Sequence, residues 1–259
     1  GESLTIEDSV RIVRENINIK LSTSSRDHIL ASRKLVDEWI ENDKVIYGIT
    51  TGFGEFKDVI IPKKDRIKLQ RNLILSHSAG VGSYIPDHIV RLMLLFRINS
   101  LSKGYSGVRL ELVEHLIKVF NSGLIPLVPS QGSVGSSGDL APLSHLALTL
   151  LGKGYCKVGD KILNSKSALK KVGLKPIELY SKEGLALING TQMMTAYMCM
   201  SLYEASRLSK LADISGSLSL EALRGTSKAF SERLQKVRPH KGQLKSAKNL
   251  RTLLQGSEI

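Results

Sequence analysis

Four short segments hold the side chains able to do chemistry. Gly132 to His145 reads Gly-Ser-Val-Gly-Ser-Ser-Gly-Asp-Leu-Ala-Pro-Leu-Ser-His, placing the Ser136 and Ser137 hydroxyls among glycines just before Asp139. Tyr47 opens Tyr-Gly-Ile-Thr-Thr-Gly-Phe-Gly, His77 follows Ser76 in Leu-Ser-His-Ser-Ala-Gly, and Asn189 lies in Leu-Ile-Asn-Gly-Thr-Gln. A phenol, an imidazole, hydroxyls and a carboxamide are groups used in acid–base and covalent catalysis. Taken singly, each segment also has a plain structural reading. The glycine-serine run is a tight loop capped by Asp139, with Pro142 tolerated in the first helical turn. The tyrosine segment is a loop without the spacing or trailing lysine of a phosphate loop. His77 ends a helical pattern, and Asn189 caps a helix at a turn.

As a whole, the run 132–145 resembles the Gly-Ser-Val-Gly-Ala-Ser-Gly-Asp-Leu-Ala-Pro-Leu-Ser-His signature of the aromatic amino acid ammonia-lyases, the histidine ammonia-lyases most closely. It departs at one position, with Ser136 in place of the usual alanine. The resemblance implies that Ser136, Ser137 and Gly138 condense into a methylidene-imidazolone, the electrophilic prosthetic group of that family. The Gly138 amide nitrogen would attack the Ser136 carbonyl carbon, and loss of water would close a five-membered ring. Dehydration of Ser137 would leave the exocyclic methylidene. Glycine suits the third position because a Cβ would obstruct the approach, and serine suits the second because its hydroxyl leaves. The first position contributes backbone, so serine is tolerated at 136. A helix starting near Asp139 would aim its positive end at the ring.

The same resemblance implies roles for the other segments. The Tyr47 segment looks like the family's Tyr-Gly-x-x-Thr-Gly-Phe-Gly loop, whose tyrosine removes the substrate β-proton. A free phenol is mostly protonated at neutral pH, so such a base needs help from its surroundings. The glycines would let the loop act as a lid. Ser76-His77 is similar to the pair in the histidine branch, where phenylalanine lyases carry Phe-Leu and tyrosine lyases His-Leu, and implies polar recognition of an imidazole. Asn189 would contact the prosthetic ring or the substrate. Gln192, Glu221 and His145 receive structural or supporting roles. The implied reaction is elimination of ammonia from L-histidine to give trans-urocanate, a step of histidine catabolism that needs no metal, nucleotide or pyridoxal phosphate. Tyr47, His77, Ser137 and Asn189 would converge in one pocket, with Ser76 beside His77 among the substrate-binding residues.

The elements that must position these residues read as mainly α. Thr5 caps a helix through Val13, with Asp8 at the capping-box position. Ile29, Leu35, Val36, Trp39 and Ile40 predict an apolar helix face, and helices follow over 63–79, 87–102 and 108–121. Tyr155 to Leu163, broken at Gly159-Asp160, predicts a small β-hairpin. From Thr191 to Gly225 an Ala/Leu/Met/Ser-rich stretch suits a buried helix, or a pair of them, in a bundle. The expected architecture is a globular N-terminal helical domain with the hairpin, residues 1–190, leading into a long up-down bundle that begins in residues 191–259.

The chain has 259 residues, 42% of them hydrophobic, and a formal charge of +13. The basic residues are spread, as in Lys63-Lys64 and Lys170-Lys171, and aromatics make up 5%, which argues against stacking platforms for nucleic acid. The charge reads as solvated helix faces, partly balancing something absent from the chain. No apolar run reaches the length of a membrane span and no signal peptide opens the sequence, so a cytoplasmic protein without membrane partners is expected. Cys156 and Cys199 have no disulfide or metal spacing. The resemblance covers about the first half of the family's chain, before its Gln-Asp-x-Tyr-Ser-x-Arg segment, whose arginine would hold the substrate carboxylate. A C-terminal half and a homotetramer sharing its active sites are therefore the expected partners, and the 259 residues alone should have little activity. The alternatives are a tyrosine or phenylalanine ammonia-lyase, an aminomutase of the same family, and a non-catalytic helical assembly protein.

Overall fold

In the computed structural model, which describes residues 2–258, Thr5 starts the first helix as its surroundings predict. Its Oγ1 accepts the Asp8 N–H at 3.0 Å and donates to Asp8 Oδ2 at 2.9 Å, closing the first turn of α1 (Ile6–Arg14). Helix α2 (Thr23–Glu41) keeps its predicted face at Ile29 and Val36, with Trp39 and Ile40 half-buried, and departs from it at Leu35. Ile29, Arg33 and Val36 are buried, whereas Leu35 is exposed. Arg33 is buried on the same side as Ile29 and Val36, its guanidinium donating to the Gly107 and Ser181 carbonyls at 3.3 and 3.1 Å.

Helices α3 (Arg66–His77), α4 (Asp87–Ser102) and α5 (Leu110–Asn121) fall within the predicted segments. Buried Ile89, Leu92, Met93, Leu94, Leu95, Ile98 and Leu101 wrap almost every side of α4, so it forms the middle of the core. Three short strands follow β1 (Val81–Tyr84) in the chain: β2 (Ile125–Pro126), β3 (Pro129–Gln131) and, after α6 (Leu140–Leu150), β4 (Tyr155–Val158). The predicted hairpin is β4 with β5 (Lys161–Asn164), paired from Tyr155↔Asn164 to Val158↔Lys161 around a Gly159-Asp160 turn, and β2 adds to its free edge. The antiparallel pairing of β1 with β3, Val81 opposite Gln131, has no alternating pattern that would have announced it. It fixes the chain just before the glycine-serine run.

Helices α7 (Ser165–Lys171) and α8 (Glu183–Ile188) precede a single 31-residue helix, α9 (Gln192–Ala222). Two compact units result, one up to Met200 and one from Ser201. The second contains the later turns of α9, α10 (Glu232–Lys236) and α11 (Lys241–Leu253). There Asp213 accepts hydrogen bonds from Ser246 and, at 2.8 Å, from Asn249, linking α9 to α11. Contrary to the buried helix expected, α9 leaves Met198, Leu202, Leu208, Leu211 and Leu218 exposed. Uncovered apolar residues on a long helix are what an unpaired bundle helix presents. No described helix is long and apolar enough to cross a membrane.

The fold carries a pH dependence. Gly80 N–H donates to His145 Nε2 at 3.0 Å, a bond that needs that nitrogen unprotonated, and burial pushes the His145 pKa down. Burial, helped by Lys118, does the same to His115. Below about pH 6.5 the unfolded chain therefore binds more protons than the folded one, and stability falls as pH drops through that value. The urea midpoint should be lower at about pH 5.5 than at about pH 7.5. His145→Gln should flatten the dependence; an unchanged slope would remove His145 from the account.

Candidate active site

Ser136 and Ser137 occupy the two central positions of a turn closed by Gly135 and Gly138, whose Gly138 N–H points to the Gly135 carbonyl at a long 3.4 Å. Ser137 holds φ +55°, a left-handed conformation that costs a serine about 1–2 kcal/mol. Both serines are exposed and Gly138 is buried. Gly138, at φ +89°, lies against Gly190, and a Cβ built there would meet the Gly190 carbonyl oxygen at 2.1 Å. Only glycine fits.

Asp139 holds this turn, though not as predicted. It stands at the N-cap position of α6 but makes no side-chain cap there. Its carboxylate instead accepts the Met193 and Met194 N–H groups, at 2.9 and 3.0 Å, and so caps α9, while Ser133 Oγ donates to it at 2.9 Å. Its own N–H donates to the Gly190 carbonyl at 2.7 Å. The residue is fully buried. No side chain caps α6, whose first turn carries the Leu140 and Ala141 N–H groups directly after the turn, Pro142 having none.

Behind Gly190 stands Arg97 of α4, 3% exposed. It donates to the Ala186 and Asn189 carbonyls at 3.0 and 3.3 Å and to Gln192 Oε1. Desolvation pulls its pKa down to about 10, against the charge of Asp139, so it stays cationic at neutral pH. Helix α8 is fixed from its other end by buried Glu183, which accepts Arg109 Nε at 2.9 Å, Arg109 Nη2 at 2.8 Å and the Tyr180 N–H at 2.8 Å. Gln70 of α3 accepts the Gly184 N–H at 2.8 Å. These ties deliver Asn189, the α8 C-cap, beside the turn, with its side-chain amide exposed and unpartnered among the described residues.

The Tyr47 loop and the Ser76-His77 pair meet elsewhere in the same unit. Gly52, Phe53, Leu69, Leu73, Ser76 and His77 line one cavity of about 350 Å³. Tyr47 stacks edge-on against Phe53, with centroids 6.4 Å apart, and its hydroxyl accepts the Gly54 N–H at 3.3 Å. His77 Nδ1 lies 2.9 Å from the Leu73 carbonyl and 3.1 Å from Ser76 Oγ. A carbonyl only accepts, so the neutral ring carries its proton on Nδ1 and offers Nε2 as an acceptor.

Two clusters therefore emerge: the serine turn with Asn189, and the Tyr47 loop with Ser76-His77. The turn does not line the second cavity. The residues present fit a ring formed from Ser136, Ser137 and Gly138, because the third position admits no Cβ and the Ser137 hydroxyl has no partner to lose among the described residues. Sequence reasoning did not single out Arg97, Gln70 or Glu183. A buried arginine inside an apolar helix is the signal that could have found the first.

An aromatic amino acid lyase family model matches residues 4–259. The histidine ammonia-lyase of Caldanaerobacter subterraneus subsp. tengcongensis is 49% identical over 259 residues, 100% of this chain and 51% of that protein. Among solved structures, histidine ammonia-lyase from Trypanosoma cruzi superimposes with a TM-score of 0.92 at 41% identity, covering 98% of this chain and 50% of that one. Phenylalanine aminomutase from Pantoea agglomerans gives 0.94 at 34% identity, covering 100% and 50%. The chain spans about half the length of the curated relatives it matches. With its serine turn held as described and its sequence matched from residue 4 onward, the chain belongs to the aromatic amino acid lyase family.

Proposed function

We propose that this chain serves a histidine ammonia-lyase, which eliminates ammonia from L-histidine to give trans-urocanate. One observation carries the reading: the Ser136-Ser137-Gly138 turn is pressed onto Gly190 so that only glycine fits, with both serine hydroxyls free. Members of the family use a methylidene-imidazolone, which in this chain would form from those three residues and supply an electrophile for the substrate amine. Asn189, unpartnered beside Gly190, would donate its amide N–H to the carbonyl of that group. The Leu140 and Ala141 N–H groups would stabilise negative charge gathering at the turn. In the assembled enzyme, where neighbouring subunits would bring a Tyr47 loop to the turn, Tyr47 would take the β-proton as the Cα–N bond breaks, the C–H electron pair becoming the new double bond and ammonia leaving. His77, its Nε2 an acceptor, would bind the imidazole N–H of the substrate, with Ser76 holding the ring tautomer.

The remaining contacts, above all a cation for the substrate carboxylate, are assigned to the other half of the family's chain and to neighbouring subunits of a homotetramer. We read residues 191–259 as the opening of the bundle through which those subunits join, and the protein as cytoplasmic. A second reading, an aminomutase that returns ammonia to the β-carbon, draws support from the likeness to phenylalanine aminomutase. Product analysis separates the two, since a mutase gives a β-amino acid.

Fragmentation mass spectrometry across Gln131–Leu140 tests the ring: loss of two waters at residues 136–138 is expected, and an unmodified mass would sink the proposal for this molecule. Ser137→Ala should abolish the second dehydration and lower kcat about a thousandfold, roughly 4 kcal/mol in the barrier, with little change in urea midpoint. His77→Leu should lower kcat/KM for histidine relative to phenylalanine by about a hundredfold, chiefly through KM for histidine. Unchanged selectivity would remove His77 from recognition.

A further inference from the structure

Four cations surround a cavity of about 600 Å³ that plays no part in the chemistry above. Lys64, Lys68 and Arg71 follow at helical spacing from the 3-10 turn Lys63–Asp65 into α3, so they share one face. Lys153, in the turn after α6, lines the same cavity. Its apolar lining comes from Ile67, Leu151, Pro176, Ile177 and Leu179, and Glu178 is the one carboxylate-bearing residue there. Neighbouring cations behave differently: Lys63 and Arg66 reach Asp43 at 3.3 and 3.7 Å. Lys64, Lys68, Arg71 and Lys153 make no ion pair or side-chain hydrogen bond with any described residue.

Like charges three and four residues apart on a helix repel, and a concave wall with apolar lining focuses their field. Such an arrangement is stable against its own repulsion when an anion is nearby. A bare inorganic ion would leave the apolar lining unused, and a neutral apolar ligand would leave the cations unused. The volume lies within the range of small-molecule sites. We propose that this cavity binds an organic polyanion, two or more carboxylate or phosphate groups carried on a flat apolar body. The site is separate from the serine turn and from the Ser76-His77 cavity, so it stands whether or not the reading of the reaction does.

Pyrene tetrasulfonate, a fluorescent aromatic polyanion, is the probe, with ATP and benzene tricarboxylate as phosphate and carboxylate competitors. Saturable binding that weakens with salt is expected. Lys68→Gln with Arg71→Gln should weaken it by about tenfold or more, whereas Lys170→Gln with Lys171→Gln, which removes the same charge from α7, should leave it within about twofold. All four residues are exposed, and the urea midpoint confirms that both variants stay folded. Displacement by ATP names phosphate as the anionic group, and displacement by the tricarboxylate names carboxylate. No saturable binding, equal losses in the two double variants, or displacement by neither competitor would overturn the proposal.

Discussion

One buried carboxylate fixes the relation between the serine turn and the rest of the first unit. Asp139 joins the loop through Ser133, the start of α9 through two backbone amides, and Gly190 through its own N–H. Ionised hydrogen bonds of this kind are about twice as strong as neutral ones. Stripping the partners from a buried charge costs about 3–5 kcal/mol, a large share of a domain's net stability. The loop cannot swing away from α9 without exposing that cost. Its left-handed Ser137 is therefore held rather than relaxed.

Arg97 completes the constraint from the opposite side. An arginine inside an apolar helix would be untenable alone, and here the Ala186 and Asn189 carbonyls and the Gln192 side chain take up donors of its two Nη groups, while its buried Nε has no partner among the described residues. Its guanidinium end stands against Gly190, where a Cβ would lie 2.2 Å from Arg97 Nη2, so a larger residue at 190 would have to displace that side chain. Gly190 in turn dictates Gly138, whose Cβ would strike the Gly190 carbonyl. At Gly138 the neighbour is backbone and φ is positive, so glycine is required there by the packing behind the turn.

What was legible in the sequence was local. Thr5 and Asp8 lie within one turn, the β4–β5 hairpin spans ten residues, and the serine run is a contiguous string. What was not legible depends on partners far along the chain. Asp139 could be read as a cap, yet the helix it caps begins 53 residues later, and no local pattern favours α9 over α6. The β1–β3 pairing joins segments 45 or more residues apart with neither strand alternating. On α2, hydrophobic periodicity included Leu35, which is exposed, and gave no sign of buried Arg33, whose partners are the distant Gly107 and Ser181 carbonyls. Within this unit the turn does not line the Ser76-His77 cavity, and a motif string names residues without stating which cavity each one faces.

The Ser76-His77 pair shows how little polarity selectivity requires under the proposed reading. Most of its cavity is apolar, with Phe53, Phe56, Ile61, Leu69 and Leu73, so the faces of any flat ring would be served alike. Discrimination must come from the ring edge. The Leu73 carbonyl fixes the His77 proton on Nδ1, and Nε2 then requires a donor. An imidazole brings one and a phenyl ring does not, leaving a desolvated acceptor at a cost of about 1–3 kcal/mol. That is a preference of roughly tenfold to a hundredfold from a single nitrogen. The helix backbone, by setting the tautomer, would choose the substrate as much as the side chain does.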